Sequence, residues 1–273
     1  MPVKEPSFVM IDGRRIAYDE VSPPHPQGTV LLLTGRGANR LTWYKQLEVF
    51  GRAFRTIALD YRDTGDSDPV SEPYTIADLA DAAAAFLAVL GVQRTHVVGV
   101  SLGGFVALQM ALRHPERVEK LVLVATFAGS SVRIPPSPEL MARQRQLLLD
   151  EQLEVGERIK RVLAMTTAPG YFESHPEDRD RIAEWAPPPQ SREAAIRQEQ
   201  AARAYDVSGQ LDRIQAPTLV VHGELDAEAP ENGRYLAQHI KGARLILYLN
   251  TGHLVPLERA DEFNRDVLAF LEE

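Results

Sequence analysis

Ser101 sits at the centre of Gly99-Val100-Ser101-Leu102-Gly103, a G-x-S-x-G pentapeptide whose spacing suits a serine used as a nucleophile. The apolar run Thr95-His96-Val97-Val98-Gly99-Val100 precedes it and reads as a strand. Residues 104–112 follow it and read as a helix. A strand that turns sharply into a helix can hold a serine at the tip of the turn. The flanking glycines are needed because a Cβ would clash in so tight a bend. The neighbouring N–H groups then belong to a helix N-terminus, where developing negative charge is favoured. A glycine-rich turn with an ordinary serine would give the same five letters. The strand–turn–helix setting is what favours the nucleophile.

A serine hydroxyl is a poor nucleophile at neutral pH and needs a base, which in turn needs an orienting acid. In parallel sheets such groups gather at the C-terminal ends of strands. Of the seven histidines, His253 follows the last strand-like run, in Asn250-Thr251-Gly252-His253, and is the expected base. His222 also ends a run but precedes Gly223. His96 begins a strand, at the wrong end of the sheet, and His25, His114, His175 and His239 fall in linkers, helix ends or the helical insertion. For the acid, Gly223-Glu224-Leu225-Asp226 leaves a strand between the serine and the histidine. The competing run 121–124 leads into Ala125-Thr126-Phe127-Ala128, with no carboxylate at its tip. Asp226 is therefore expected ahead of Glu224 and Glu228; its alternative role is to cap the helix that follows. Two oxyanion donors are expected: the Leu102 N–H, and the Arg36 N–H in the loop Thr34-Gly35-Arg36-Gly37.

These groups must be carried by a regular framework. Phe8-Val9-Met10-Ile11 and Arg15-Ile16-Ala17-Tyr18 flank Asp12-Gly13, a two-residue hairpin signal. After a Pro-rich linker, short apolar runs alternate with helical stretches. The runs Thr29-Val30-Leu31-Leu32-Leu33, Thr56-Ile57-Ala58-Leu59, 96–100 and Leu121-Val122-Leu123-Val124 are apolar nearly throughout, as in strands covered on both faces. The βαβα series predicts a parallel sheet between helical layers. From 127 to about 210 the strand signal disappears. Residues 139–165 read as helix interrupted near Gly156, a second helical piece ends at Pro187-Pro188-Pro189, and 191–205 read as a third. This predicts a core of residues 1–126 and 211–273 with an inserted helical cap at 127–210. Strand-like runs resume at 217–222 and 244–249, and 258–271 form a closing amphipathic helix.

Composition narrows the function classes. The net charge of -8 over 273 residues argues against nonspecific nucleic-acid binding. The chain has no cysteine, which excludes thiolate nucleophiles, disulfides and Cys-ligated metals. No apolar run approaches a membrane span and no secretory leader is visible, so a cytoplasmic protein with no membrane partner is expected. Gly35-Arg36-Gly37 is not a dinucleotide fingerprint, because Arg40 stands where the third glycine belongs.

The Ser, Asp, His order, the elbow and the helical insertion together resemble the α/β-hydrolase superfamily, over nearly the whole chain. Within it, the resemblance is to serine carboxylesterases, enol-lactonases and cofactor-free haloperoxidase-like members. It implies a mostly parallel eight-stranded α/β sheet with helices on both faces. It implies an esterase or lactonase working through an acyl-enzyme, without cofactor or metal, on a small-molecule ester or lactone. C–C bond hydrolysis or perhydrolysis on the same triad, and a non-catalytic ligand-binding member, are the alternatives. Thr34-Gly35 departs from the His-Gly usual in such proteins, and the Asp60–Asp68 loop resembles the family's loop after its fourth strand, read as turn chemistry with Asp caps. Leu140, Leu147, Leu148, Met165, Phe172 and Trp185 of the insertion are candidates for the substrate pocket, with the core of the insertion as their favoured alternative role, and Trp43 and Phe127 are further pocket candidates. An enol-lactonase would require the Arg36 guanidinium to recognise a substrate carboxylate; the favoured reading is an exposed side chain with only its backbone in use. Oligomeric state is left open.

Overall fold

The computed structural model describes residues 5–148, 155–184 and 190–273. The strands are β1 (Ser7–Ile11), β2 (Arg14–Val21), β3 (Thr29–Leu33), β4 (Arg55–Leu59), β5 (Thr95–Val100), β6 (Val118–Val124), β7 (Thr218–Gly223) and β8 (Arg244–Tyr248). The helices are α1 (Tyr44–Phe50), α2 (Ile76–Val89), α3 (Leu102–Arg113), α4 (Pro138–Leu148), α5 (Val155–Ala164), α6 (Tyr171–Ser174), α7 (Pro176–Glu184), α8 (Arg192–Arg203), α9 (Pro230–His239), α10 (Val255–Glu258) and α11 (Ala260–Glu272). One eight-stranded sheet runs in the order β1-β2-β4-β3-β5-β6-β7-β8. β1 pairs antiparallel with β2, and β2 with β4; every later pairing is parallel. Among the described residues, no helix is long and apolar enough to cross a membrane.

The continuous apolar runs work because a strand alternates its faces. Leu31, Leu33, Val97, Leu121, Leu123 and Val220 point into one core, with Leu79, Phe86 and Phe105 of α2 and α3. Their neighbours Val30, Leu32, Val98, Val122, Val124 and Val221 point into the other, with Phe50, Phe263 and Phe270 of α1 and α11. Each run therefore supplies two cores at once. The hairpin turn adopts the positive φ values its residues favour, 49° at Asp12 and 77° at Gly13. Helix α2 begins with a reciprocal cap between Thr75 and Asp78.

The closing helix α11 begins at Ala260, two residues later than the pattern predicts, and the short helix α10 precedes it. α4 ends at Leu148 and α5 begins at Val155, next to Gly156. Helices α4 to α8 all fall between β6 and β7.

The order β4-β3-β5-β6 means that the chain leaves β3 toward one edge and β5 toward the other. The crevice between the ends of β3 and β5 is the topological switch point, where open α/β sheets bind ligands. The loops leaving β3 and β4 are locked together there. Arg40, its side chain fully buried, pairs with Asp60 at 2.6 Å, Asp66 at 2.7 Å and Asp19 at 3.1 Å. Its own N–H donates to Asp60 Oδ1 at 2.7 Å. The Asp-rich loop is thus more than a capped turn: Asp60 and Asp66 hold a buried cation 20 or more residues away. Removing one partner of a buried ion pair strands the other charge. Arg40→Met is expected to lower stability by about 3–5 kcal/mol, measured by urea denaturation. A loss below about 1 kcal/mol would show that the cluster contributes little.

Candidate active site

The peptide geometry at Ser101 is unusual. Its φ of 54° and ψ of -119° lie where an L-residue rarely sits, at a cost of about 1–3 kcal/mol. The surrounding backbone leaves no alternative. A Cβ at Gly99 would come within 2.2 Å of the Gly103 carbonyl oxygen, and one at Gly103 within 2.2 Å of Leu33 O. Hydrogen bonds fix the turn from both sides. Ser101 N donates to Val124 O at 2.9 Å, and Thr126 Oγ1 donates to Ser101 O at 2.8 Å.

Ser101, Asp226 and His253, which leave β5, β7 and β8, border one cavity. The His253 ring meets the Asp226 carboxylate at 3.0 Å from Nδ1 to each oxygen. Asp226 Oδ1 also accepts the Glu228 N–H at 2.9 Å. The rival carboxylates point elsewhere: Glu224 accepts the Asn250 N–H at 3.2 Å, and Glu228 pairs with Arg133. Burial opposes ionisation of Asp226, but the His253 charge and the His222 and His253 imidazoles outweigh it and hold the carboxyl well below the usual carboxylate range. Burial likewise opposes an imidazolium at His253. The adjoining Asp226, with Glu228 and Glu258 farther off, reverses that and raises its pKa.

The oxyanion candidates sit on either side of the switch-point crevice. The Leu102 side chain is buried in the core, and its N–H is the first of α3, among those with no intrahelical acceptor. Arg36 borders the cavity. In its loop, Gly37 N donates to Gln198 Oε1 at 2.8 Å and Ala38 N to Gly35 O at 3.3 Å. The exposed Arg36 guanidinium pairs with Glu199.

The cavity has a volume of about 280 Å³. Trp43 and Val100 from the core and Val162, Leu163 and Ile182 from the inserted helices form its apolar walls. Two expected pocket residues lie elsewhere. Phe127 packs edge-on against Phe105, centroids 4.6 Å apart, under Arg133, because the chain leaving β6 folds down onto α3. Met165 lies beyond the wall, which takes Leu163 and Thr166 instead. Leu148 ends α4; its side chain, and Trp185, lie outside the described residues.

Three features escaped the sequence reading. His222 is completely buried and lies 2.9 Å from Asp226 Oδ2 without hydrogen-bond geometry. Its spacing, four residues before Asp226, was the available signal. Glu258 accepts the N–H groups of Gly252 at 2.9 Å, Leu254 at 3.1 Å and Ala168 at 2.8 Å. Its carboxylate therefore clamps both neighbours of His253. Finally, His253 N donates to Thr166 O at 2.7 Å, which ties the histidine loop to the inserted segment.

Residues 28–260 match the family described as alpha/beta hydrolase fold. The chain is 31% identical over 268 residues to a putative carbamate hydrolase RutD of Variovorax paradoxus, covering 92% of this chain and 94% of that one. It is 31% identical over 249 residues to a pimeloyl-[acyl-carrier protein] methyl ester esterase of Neisseria meningitidis, covering 89% and 93%. Among solved structures, the enol-lactonase of Burkholderia xenovorans LB400 superposes with a TM-score of 0.84 at 26% identity, covering 98% of this chain and 100% of that one.

The electrostatics make a direct prediction. His253 should titrate above 6.5, its ordinary value. In Asp226→Asn the carboxylate is gone and burial dominates, so the titration should fall below 6.5. Imidazole NMR across a pH series measures both. An unchanged midpoint in the variant would contradict the assigned pairing.

Proposed function

The chain belongs to the alpha/beta hydrolase fold family, and from that premise we propose that it is a serine hydrolase that cleaves small, uncharged carboxylic esters or lactones through an acyl-enzyme. The observation that carries this is the Asp226–His253 contact in the cavity that Ser101 borders. Asp226 holds Nδ1, so the proton at that position is fixed and Nε2 is left as the base. His253 takes the Ser101 proton as Oγ attacks the carbonyl. The tetrahedral oxyanion forms against the Leu102 and Arg36 N–H groups. Gly37 and Ala38, the next two donors of the loop, are already engaged, which favours Arg36 for this role. His253 returns the proton to the leaving alcohol, then activates water to release the acid. The packing and hydrogen bonds that hold Ser101 in its strained conformation keep the hydroxyl at the tip of the turn, so little reorganisation is needed at the moment of reaction.

The substrate class follows from volume and charge. A cavity of about 280 Å³ lies just below the usual range of small-molecule sites, roughly 300–1,000 Å³. The charged residues at its border are already matched: Arg36 with Glu199, Glu228 with Arg133 and Asp226 with His253. A carboxylate on the substrate would find, among the described residues that line the cavity, only the Arg36 guanidinium, already paired with Glu199. The inserted helices close the cavity from above and act as its lid, so they set the length of acyl chain admitted.

Ser101→Ala is expected to keep the fold by circular dichroism and lose roughly 10⁴-fold or more of p-nitrophenyl butyrate turnover. Near wild-type turnover would refute the nucleophile. Because the base must be neutral, kcat/KM should rise with pH through the His253 titration, with a midpoint above 6.5. Acetate and butyrate esters should be cleaved faster than the decanoate. A preference for the long chain would contradict the proposed substrate size.

A further inference from the structure

Three consecutive residues of α8 reach across to loops of the core. Arg197 makes a two-pronged pair with Asp63, at 2.9 Å from Nε to Oδ2 and 3.0 Å from Nη2 to Oδ1. Gln198 Oε1 accepts the Gly37 N–H at 2.8 Å. Glu199 pairs with Arg36. The helix is placed to do this by its cap, where Ser191 Oγ accepts the Ala194 N–H at 3.1 Å. Ala194, Gln198 and Ala201 form its buried face, at the four- and three-residue spacing of one helix side.

Gln198 is the member with no simple packing rationale. Its side chain is fully buried, yet Nε2 has no hydrogen-bond partner. A buried amide with an unmet donor carries a desolvation penalty that leucine or methionine would avoid. What glutamine supplies is the one acceptor atom, Oε1, aimed at the Gly37 amide. Gly37 has a φ of 68°, so the loop turns through a conformation that favours glycine. The peptide plane joining Arg36 to Gly37 is rigid. Holding its N–H limits the rotation of Arg36, whose own N–H lies on the adjoining plane.

We propose that Gln198 is a positioning residue for the oxyanion hole: by holding the Gly37 amide from helix α8, it sets the direction of the Arg36 N–H. The inference rests on the reading of Ser101 as the nucleophile and Arg36 as a donor. It also gives the inserted helices a second role, since α8 builds part of the reacting site as well as covering it. Small errors in such geometry reduce rate more than binding.

The test uses a fluorophosphonate, which reports on the hole without knowledge of the natural substrate. Ser101 Oγ bonds to phosphorus as the P–F bond breaks. Fluoride leaves, and the hydroxyl proton passes to His253 and then to solvent. Gln198→Leu should lower the second-order labelling rate by about 10- to 100-fold. It should lower kcat on p-nitrophenyl butyrate alike, with KM within about threefold. Gln198→Glu keeps a carbonyl acceptor in a carboxyl that burial holds in its neutral form, so at neutral pH and below it should stay within about threefold of wild type. Thermal melting identifies a variant that has not folded, and Gln198→Met then replaces the leucine.

Wild-type rates in the folded leucine or methionine variant would overturn the inference, as would an equal loss in the glutamate variant. The parent reading fails separately. Wild-type protein that does not label, or a label that survives Ser101→Ala, removes the nucleophile and this inference with it. Labelling that requires Ser101 but ignores position 198 removes this inference alone.

Discussion

The whole arrangement depends on the contact of bare backbone with bare backbone where β5 turns into α3. Gly99 lies against the Gly103 carbonyl, and Gly103 against Leu33 O. Such closeness lets the chain reverse within one residue, and that residue, Ser101, takes up the strain. A strained conformation persists only when its surroundings over-determine it. Here the two cores on either face of the sheet and the bonds from Val124 and Thr126 supply that determination. The turn is thus kept by packing that lies outside it.

A second constraint is electrostatic. Asp226 is buried with His253 and His222 against it, and its ionised form is held by those partners. Glu258 is the counterweight one layer out. It is half-buried, which raises its pKa, and its oxygens accept backbone amides around His253 rather than meeting the ring. The two carboxylates make different contacts: one meets the imidazole and the other the backbone of the loop that carries it. Neighbouring acids in different surroundings commonly separate in this way.

The inserted helices touch the site at three points. They wall the cavity with Val162, Leu163 and Ile182, accept the His253 N–H at Thr166, and meet the loop after β3 through α8. In the proposed mechanism, base and oxyanion donor are both held partly from above. Exchange of these helices between relatives would therefore change rate as well as substrate size.

Much of this was legible in the residues themselves. The elbow could be recognised because only glycine fits its flanks. The parallel sheet could be recognised because strands buried on both faces must be apolar throughout. His253 and Asp226 could be placed because parallel strands end on one rim. Phe127 and Met165 were misplaced, since an apolar letter does not say which of two apolar surroundings it fills. Arg40 and Gln198 act through partners 20 and 161 residues away, which local pattern does not encode; His222 and Glu258 lie only 4 and 6 residues from theirs, but spacing alone does not say that the two groups meet. Local sterics and side-chain alternation, which depend on neighbours along the chain, were fixed by the sequence itself. Which buried polar group meets which was decided only when the sheet and the inserted helices closed over one another, because hydrogen bonds and ion pairs act across space at about 3 Å.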